Sequence, residues 1–205
     1  MDAVITRILQ KASDNPDYQT IANYLMSRRA FPQMQLDPVP SSKLGSFSAP
    51  GLFSDGRVPE RGIVNINNYS RYQNPADVAP VVAHELTHAT ERQLIKQYYE
   101  IKNKQNKTEL DNQFLNNFQK IIGSSEPEIK NWLSKVSPEF VKEEGDYRAK
   151  SNEALAFGLE NSIFPNVVSS YKVPSHVDPT IATSLMLLLD QAQRVQEQKP
   201  QSQGR

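Results

Sequence analysis

His84, Glu85 and His88 are the residues of this chain whose types and spacing point most directly to chemistry. In a helix, side chains four positions apart stand one above the other, so two imidazoles at 84 and 88 can grip a single ion. Glu85 is rotated by about 100° from His84. It cannot share that edge, but it can reach a water in the ion's open position. Neutral imidazole suits zinc, and a catalytic zinc keeps three protein ligands plus a water whose pKa it lowers to about 7. A neighbouring carboxylate then takes the proton. His84-Glu85-Leu86-Thr87-His88 is therefore an HExxH pattern, whose mechanical reading is a metallopeptidase helix. The chain has three histidines and two of them fall in this pattern. The plainer alternative is a surface helix with two solvated histidines.

A third ligand must come from elsewhere. Residues 89–94 supply neither the glycine nor the histidine of the extended HExxHxxGxxH pattern. The candidate is Glu153, set mid-helix between Asn152 and Ala154, where a carboxylate facing a core is costly unless it is paired or metal-bound. Ala154 and Ala156 are small enough for that helix to approach the first closely. A solvent-facing glutamate is the alternative. Glu91, three residues after His88, and Glu160 could accept the distal N–H of a ligand histidine, although each reads more simply as a surface charge. His176 has two functional readings: a replacement third ligand, or a donor that stabilises the oxyanion formed when water attacks a peptide carbonyl. In the second role Asp178 would orient it and Tyr171 could take its place. An idle loop histidine is equally compatible with the sequence.

These groups need a scaffold, and the patterning predicts a mainly helical α+β fold with a small sheet. Asn74-Pro75-Ala76-Asp77 reads as a helix start, with Asn74 as cap and Pro75 in the first turn, and the helix should run through the pattern to about Lys102. Gly62 to Asn67 alternates apolar and polar and predicts a strand just before it. The edge of that strand could hold an extended peptide beside the metal, or the strand could simply be core. Upstream, a stripe at Val4, Ile5, Ile8 and Leu9 is broken at Asn15-Pro16, and Tyr18, Ile21, Ala22 and Leu25 form a second stripe. Residues 31–60 carry many prolines and glycines and read as loop, with a short strand around Leu52-Phe53. Downstream, Leu110, Phe114, Phe118 and Ile121 recur at helical spacing until Gly123. Ser125 with Glu128 makes a capping box, and a helix is expected over about 147–164. A last helix after Asp178-Pro179 is apolar almost all round from Ile181 to Leu189, which predicts burial. Residues 1–195 read as one domain and 196–205 as a polar tail.

Composition narrows the partners. The 205 residues carry 23 Lys+Arg and 23 Asp+Glu, so no global field favours nucleic acid or an anionic membrane. The absence of cysteine excludes disulfides, thiolate ligands and a cysteine nucleophile. No signal peptide is readable in residues 1–10, and the apolar run 184–189 is far shorter than the roughly 20 residues a bilayer needs. The expectation is a soluble protein acting on a peptide or protein.

His84-Glu85-Leu86-Thr87-His88-Ala89 resembles the active-site helix of thermolysin-type zinc peptidases, and Asn152-Glu153 is similar to the stretch that gives those gluzincins their third ligand. The resemblance covers about 62–100 and 147–164. It implies a zincin-like core: a small sheet with an edge strand on an active-site helix, and a second helix donating a glutamate. One zinc ion would be held by His84, His88 and Glu153, with Glu85 as general base. The family's aspartate four residues after the glutamate is Phe157 here, so support for a ligand histidine must come from another group. The size is similar to that of minimal zincin-like domains in bacterial and phage proteins, which implies a cytoplasmic or phage-associated setting. Two functions follow from the resemblance: a zinc-dependent peptidase, or a catalytically silent zincin-like structural or binding component.

Overall fold

A computed structural model describes residues 7, 10, 14–37, 44–48, 61–67, 78–123, 155–156 and 179–198. Among them the fold is α+β and mainly helical, with a three-stranded sheet.

Helix α1, Pro16–Ser27, starts where the sequence breaks. Asn15 Oδ1 accepts the backbone N–H groups of Asp17 (2.9 Å) and Tyr18 (3.3 Å), and Pro16 fits the first turn, where its missing N–H is not needed. Tyr18, Ile21, Tyr24 and Leu25 form its buried stripe. The helix ends in a Schellman arrangement: Ala30 N–H reaches Leu25 O at 2.8 Å and Arg29 N–H reaches Met26 O at 2.9 Å. Arg29 sits in the left-handed region there, at φ 53°, a position glycine usually fills.

The proline-rich segment read as loop contains two strands, β1 (Gln33–Leu36) and β2 (Gly45–Ser48). They flank β3 (Ile63–Ile66), β1 parallel to it and β2 antiparallel, in the order β1-β3-β2. β1 alternates polar and apolar residues, Gln33-Met34-Gln35-Leu36, but is four residues long and only partly buried; β2 is partly buried throughout, and β3 buries Val64 and Ile66. The strand expected around Leu52-Phe53 lies outside the described residues. The strand read at 62–67 is confirmed as β3, but it is the central strand. The sheet edge beside the candidate site belongs to β2.

Helix α2, Ala79–Lys102, touches both the sheet and the other helices among the described residues. The cap expected at Asn74 lies outside the described residues. The helix is described from Ala79, with Pro80 in its first turn and Val78 before it making no side-chain cap. Its end at Lys102 falls where the pattern placed it. Helix α3, Glu109–Phe118, opens with a reciprocal capping box between Thr108 and Asp111 and continues as a π-helical turn, Gln119–Gly123. The segment holding Ser125 and Glu128 lies outside the described residues.

Helix α4, Pro179–Glu197, packs on α1 and α3. Leu185, Leu188, Leu189, Ala192 and Val195 are buried, and each fully buried leucine contributes roughly 1.5–3 kcal/mol relative to exposure. The all-round burial expected of this helix does not occur, since Leu187 is 52% exposed. The buried residues of α4 lie on the side that packs against α1, α2 and α3. The helix also runs two residues into the segment read as tail. Gln196 is tied there, accepting from Ser27 Oγ at 3.2 Å and donating to Gln97 Oε1 at 3.3 Å.

Candidate metal centre

The first half of α2 carries a buried polar track on an otherwise apolar helix. Val82, Ala83, Leu86 and Ala89 are buried, as the core demands. Between them His84 (8% exposed), Glu85 (6%) and Glu91 (5%) are buried too, and His88 is half-buried. Burying two carboxylates and two imidazoles is unfavourable unless they are paired, hydrogen-bonded or bound to an ion. None of the four is without an interaction partner. Two other polar residues of this stretch are accounted for within the helix: Thr87 Oγ1 donates to Ala83 O (2.9 Å) and Thr90 Oγ1 to Leu86 O (2.8 Å).

The His84 and His88 rings stand 5.0 Å apart between centroids, at 79° to each other. This separation can be compared with what a shared ion requires. With Zn–N bonds of about 2.0–2.1 Å and a near-tetrahedral angle, two imidazole centroids around one zinc fall roughly 5 Å apart. The observed separation is compatible with a shared ion, and it is also the spacing of any side chains one turn apart on a helix. Among the described residues no group of three or more His, Cys, Asp or Glu side chains is assembled to hold a metal. Glu153, the third ligand expected from the sequence, lies outside them, as do His176, Asp178, Tyr171 and Glu160. Leu155 and Ala156, just after Glu153 in sequence, are helical and buried.

Glu91 departs from the expectation of a surface charge. Its position one turn beyond His88 was legible, but its burial depends on what packs over that turn of α2. A buried carboxylate at this spacing suits the task of accepting the distal N–H of a ligand histidine.

Glu85 meets the sheet. A Cβ built on Gly45 of β2 would stand 2.6 Å from Val81 Cγ1, 2.9 Å from Glu85 Oε1 and 3.1 Å from Glu85 Cγ. The backbone of the edge strand thus lies directly against the carboxylate-bearing side chain. In sequence Gly45 reads only as a loop marker, and no local pattern ties it to a helix so far along the chain.

The hydrogen-bond phase of β2 follows from one contact. Asn67 N–H donates to Leu44 O at 2.8 Å, continuing the register Gly45↔Ile66 to Ser48↔Ile63. Because bonded and non-bonded pairs alternate in an antiparallel ladder, Ser46 and Ser48 bond to β3, while the N–H and C=O of Gly45 and Phe47 face the other side. Among the described residues no strand pairs with that side.

Comparison of the chain with protein-family models, with curated proteins and with solved structures finds no match. No helix among the described residues is long and apolar enough to cross a membrane.

Proposed function

We propose that this protein is a zincin-like zinc metallopeptidase in which His84, His88 and Glu153 hold one zinc ion and Glu85 is the general base. The observation that carries this reading is the juxtaposition on α2: two imidazoles at a separation compatible with a shared ion, and the intervening Glu85 set against a sheet edge. Zinc, when bound, supplies a water of lowered pKa and polarises a peptide carbonyl.

The remaining chemistry belongs to the chain. The Glu85 carboxylate receives the proton of the attacking water and returns it to the nitrogen of the leaving amine. Gly45 and Phe47 offer main-chain groups to an extended peptide, which adds to the sheet as a further strand and brings its carbonyl toward Glu85. Glu91 holds a ligand histidine in one tautomer. His176 is the proposed donor to the oxyanion, and Tyr171 is its alternate.

The deciding experiment pairs zinc content with hydrolysis of casein and a peptide library, for the parent protein and Glu85→Gln. The expected result is stoichiometric zinc in both and a loss of turnover of roughly 10²–10⁴-fold in the variant, the range of general acid–base catalysis. Normal hydrolysis by Glu85→Gln refutes the mechanism. A second reading, a catalytically silent zincin-like structural or binding component, is favoured by the low exposure of His84 and Glu85. It predicts bound zinc with no cleavage of any substrate by the parent protein. A protein that takes up no zinc removes both.

A further inference from the structure

We infer that Gly45 is a positioning residue for Glu85: the bare backbone of the edge strand fixes where the general base holds its carboxylate. This rests on the metallopeptidase reading above. Of the three heavy atoms nearest to a Cβ at position 45, two belong to Glu85 and one to Val81, at 2.9, 3.1 and 2.6 Å. All three lie inside ordinary van der Waals separation, so any side chain at 45 must displace them. Val81 is half-buried and branched, with little room to turn. Glu85 is 6% exposed, so little of any displacement can be into bulk solvent.

The glycine is not required by its backbone conformation, because the positive-φ glycine among the described residues is Gly62. Gly45 lies in a strand paired to Ile66, where any residue could adopt the backbone angles. What excludes a side chain is the helix beneath. Glycine inside a strand often marks a close approach of another group, and here that group is the base itself.

The consequence is specific. A methyl group at 45 moves the Glu85 carboxylate while the nearest contacts leave both imidazoles untouched, so metal binding and catalysis should separate. Relieving the Glu85 contacts at 2.9 and 3.1 Å needs a shift of a few tenths of an ångström. That is less than the roughly 1 Å that lowers a rate about a hundredfold, so a loss on the order of tenfold is expected.

The test uses the full chain with Gly45→Ala, Val81→Ala and the double variant. Val81→Ala removes the tightest contact but leaves both Glu85 contacts, which also protects against a single variant that fails to fold. For Gly45→Ala and for the double variant, kcat should fall on the order of tenfold with zinc content unchanged. Val81→Ala alone should match the parent. Crystal structures of the variants should show the Glu85 carboxylate shifted relative to the His84 and His88 rings. Recovery of parental kcat in the double variant overturns the inference, because the glycine would then serve only helix–strand packing. An unmoved carboxylate, or a kcat within twofold of the parent in Gly45→Ala, overturns it as well. If the parent hydrolyses nothing, the peptidase reading fails, and the crystallographic position of Glu85 still decides the claim about Gly45.

Discussion

Replacing Gln97 by methionine tests how the C-terminal half of α2 is anchored to the helices around it. Gln97 is 2% exposed and joins three helices. Its Oε1 accepts from Tyr24 Oη of α1 at 3.0 Å and from Gln196 Nε2 of α4 at 3.3 Å, and its Nε2 donates to Ala192 O at 2.8 Å. Burial pushes the Tyr24 phenol well above its usual range, so it remains a donor at all ordinary pH. Methionine keeps length and volume but accepts poorly, which leaves a fully buried Tyr24 hydroxyl unsatisfied. Losing the bond contributes about 1 kcal/mol and the stranded hydroxyl about 1–3 more, for a destabilisation of roughly 2–4 kcal/mol. In a chain of this size that lowers Tm by roughly 2–4 °C for each kcal/mol. Gln97 lies about 13 Å along the helix axis from His88, so zinc content should not change. Urea unfolding of Gln97→Met, Tyr24→Phe and the double variant forms a cycle. The double variant should recover about 1–2 kcal/mol of the loss, because no hydroxyl is then left unpaired. Strict additivity, or a Gln97→Met protein within about 0.5 kcal/mol of the parent, a difference typical of an uninvolved surface position, would refute the argument.

Three further substitutions probe single terms. Tyr18 has a buried hydroxyl with no hydrogen-bond partner among the described residues, so Tyr18→Phe should leave stability unchanged or raise it by up to about 1 kcal/mol in thermal unfolding. Arg29 holds a left-handed conformation, so Arg29→Gly should stabilise the end of α1 by about 1 kcal/mol, and a loss of stability would contradict the Schellman assignment. Asp111 is enclosed, and burial alone would raise its pKa. Hydrogen bonds from Lys104, at 2.7 and 2.8 Å, and from Thr108 outweigh that and hold the carboxyl below the usual range. Its folded pKa therefore lies below the unfolded value of about 3.9, so its stabilisation is present above that pH and is lost as pH falls through the folded pKa. Asp111→Asn should lose roughly 2 kcal/mol at pH 7 and show a flatter acid limb below about pH 4 in unfolding monitored by circular dichroism.

Much of this protein was legible locally. Asn15-Pro16 marked the start of α1, and the periodicity of Leu110, Phe114 and Phe118 marked α3. The end of α2 at Lys102 and the strand Ile63–Ile66 could also be read directly. The shared face of His84 and His88 needed nothing beyond helical geometry, since four residues is one turn plus a small remainder. These features depend on contacts within a few positions, and the chain encodes them in its spacing.

The remainder depends on segments far apart in sequence. β1 and β2 are strands because β3 lies between them to complete their hydrogen bonds. Each is only four residues long and set among prolines at 32, 38, 40 and 50, so the alternation of Gln33-Met34-Gln35-Leu36 is too brief to stand out from its surroundings. Glu91 is buried and Leu187 exposed because burial is set by what packs over a helix face, and the pattern on that face does not name its neighbour. Gly45 reaches Glu85 only because the sheet lies across α2 at that point. Spacing alone thus determined which side chains could share an ion. Tertiary packing determined which sheet edge lies beside them and how closely Glu85 is packed, since steric exclusion acts between atoms that no local pattern brings together.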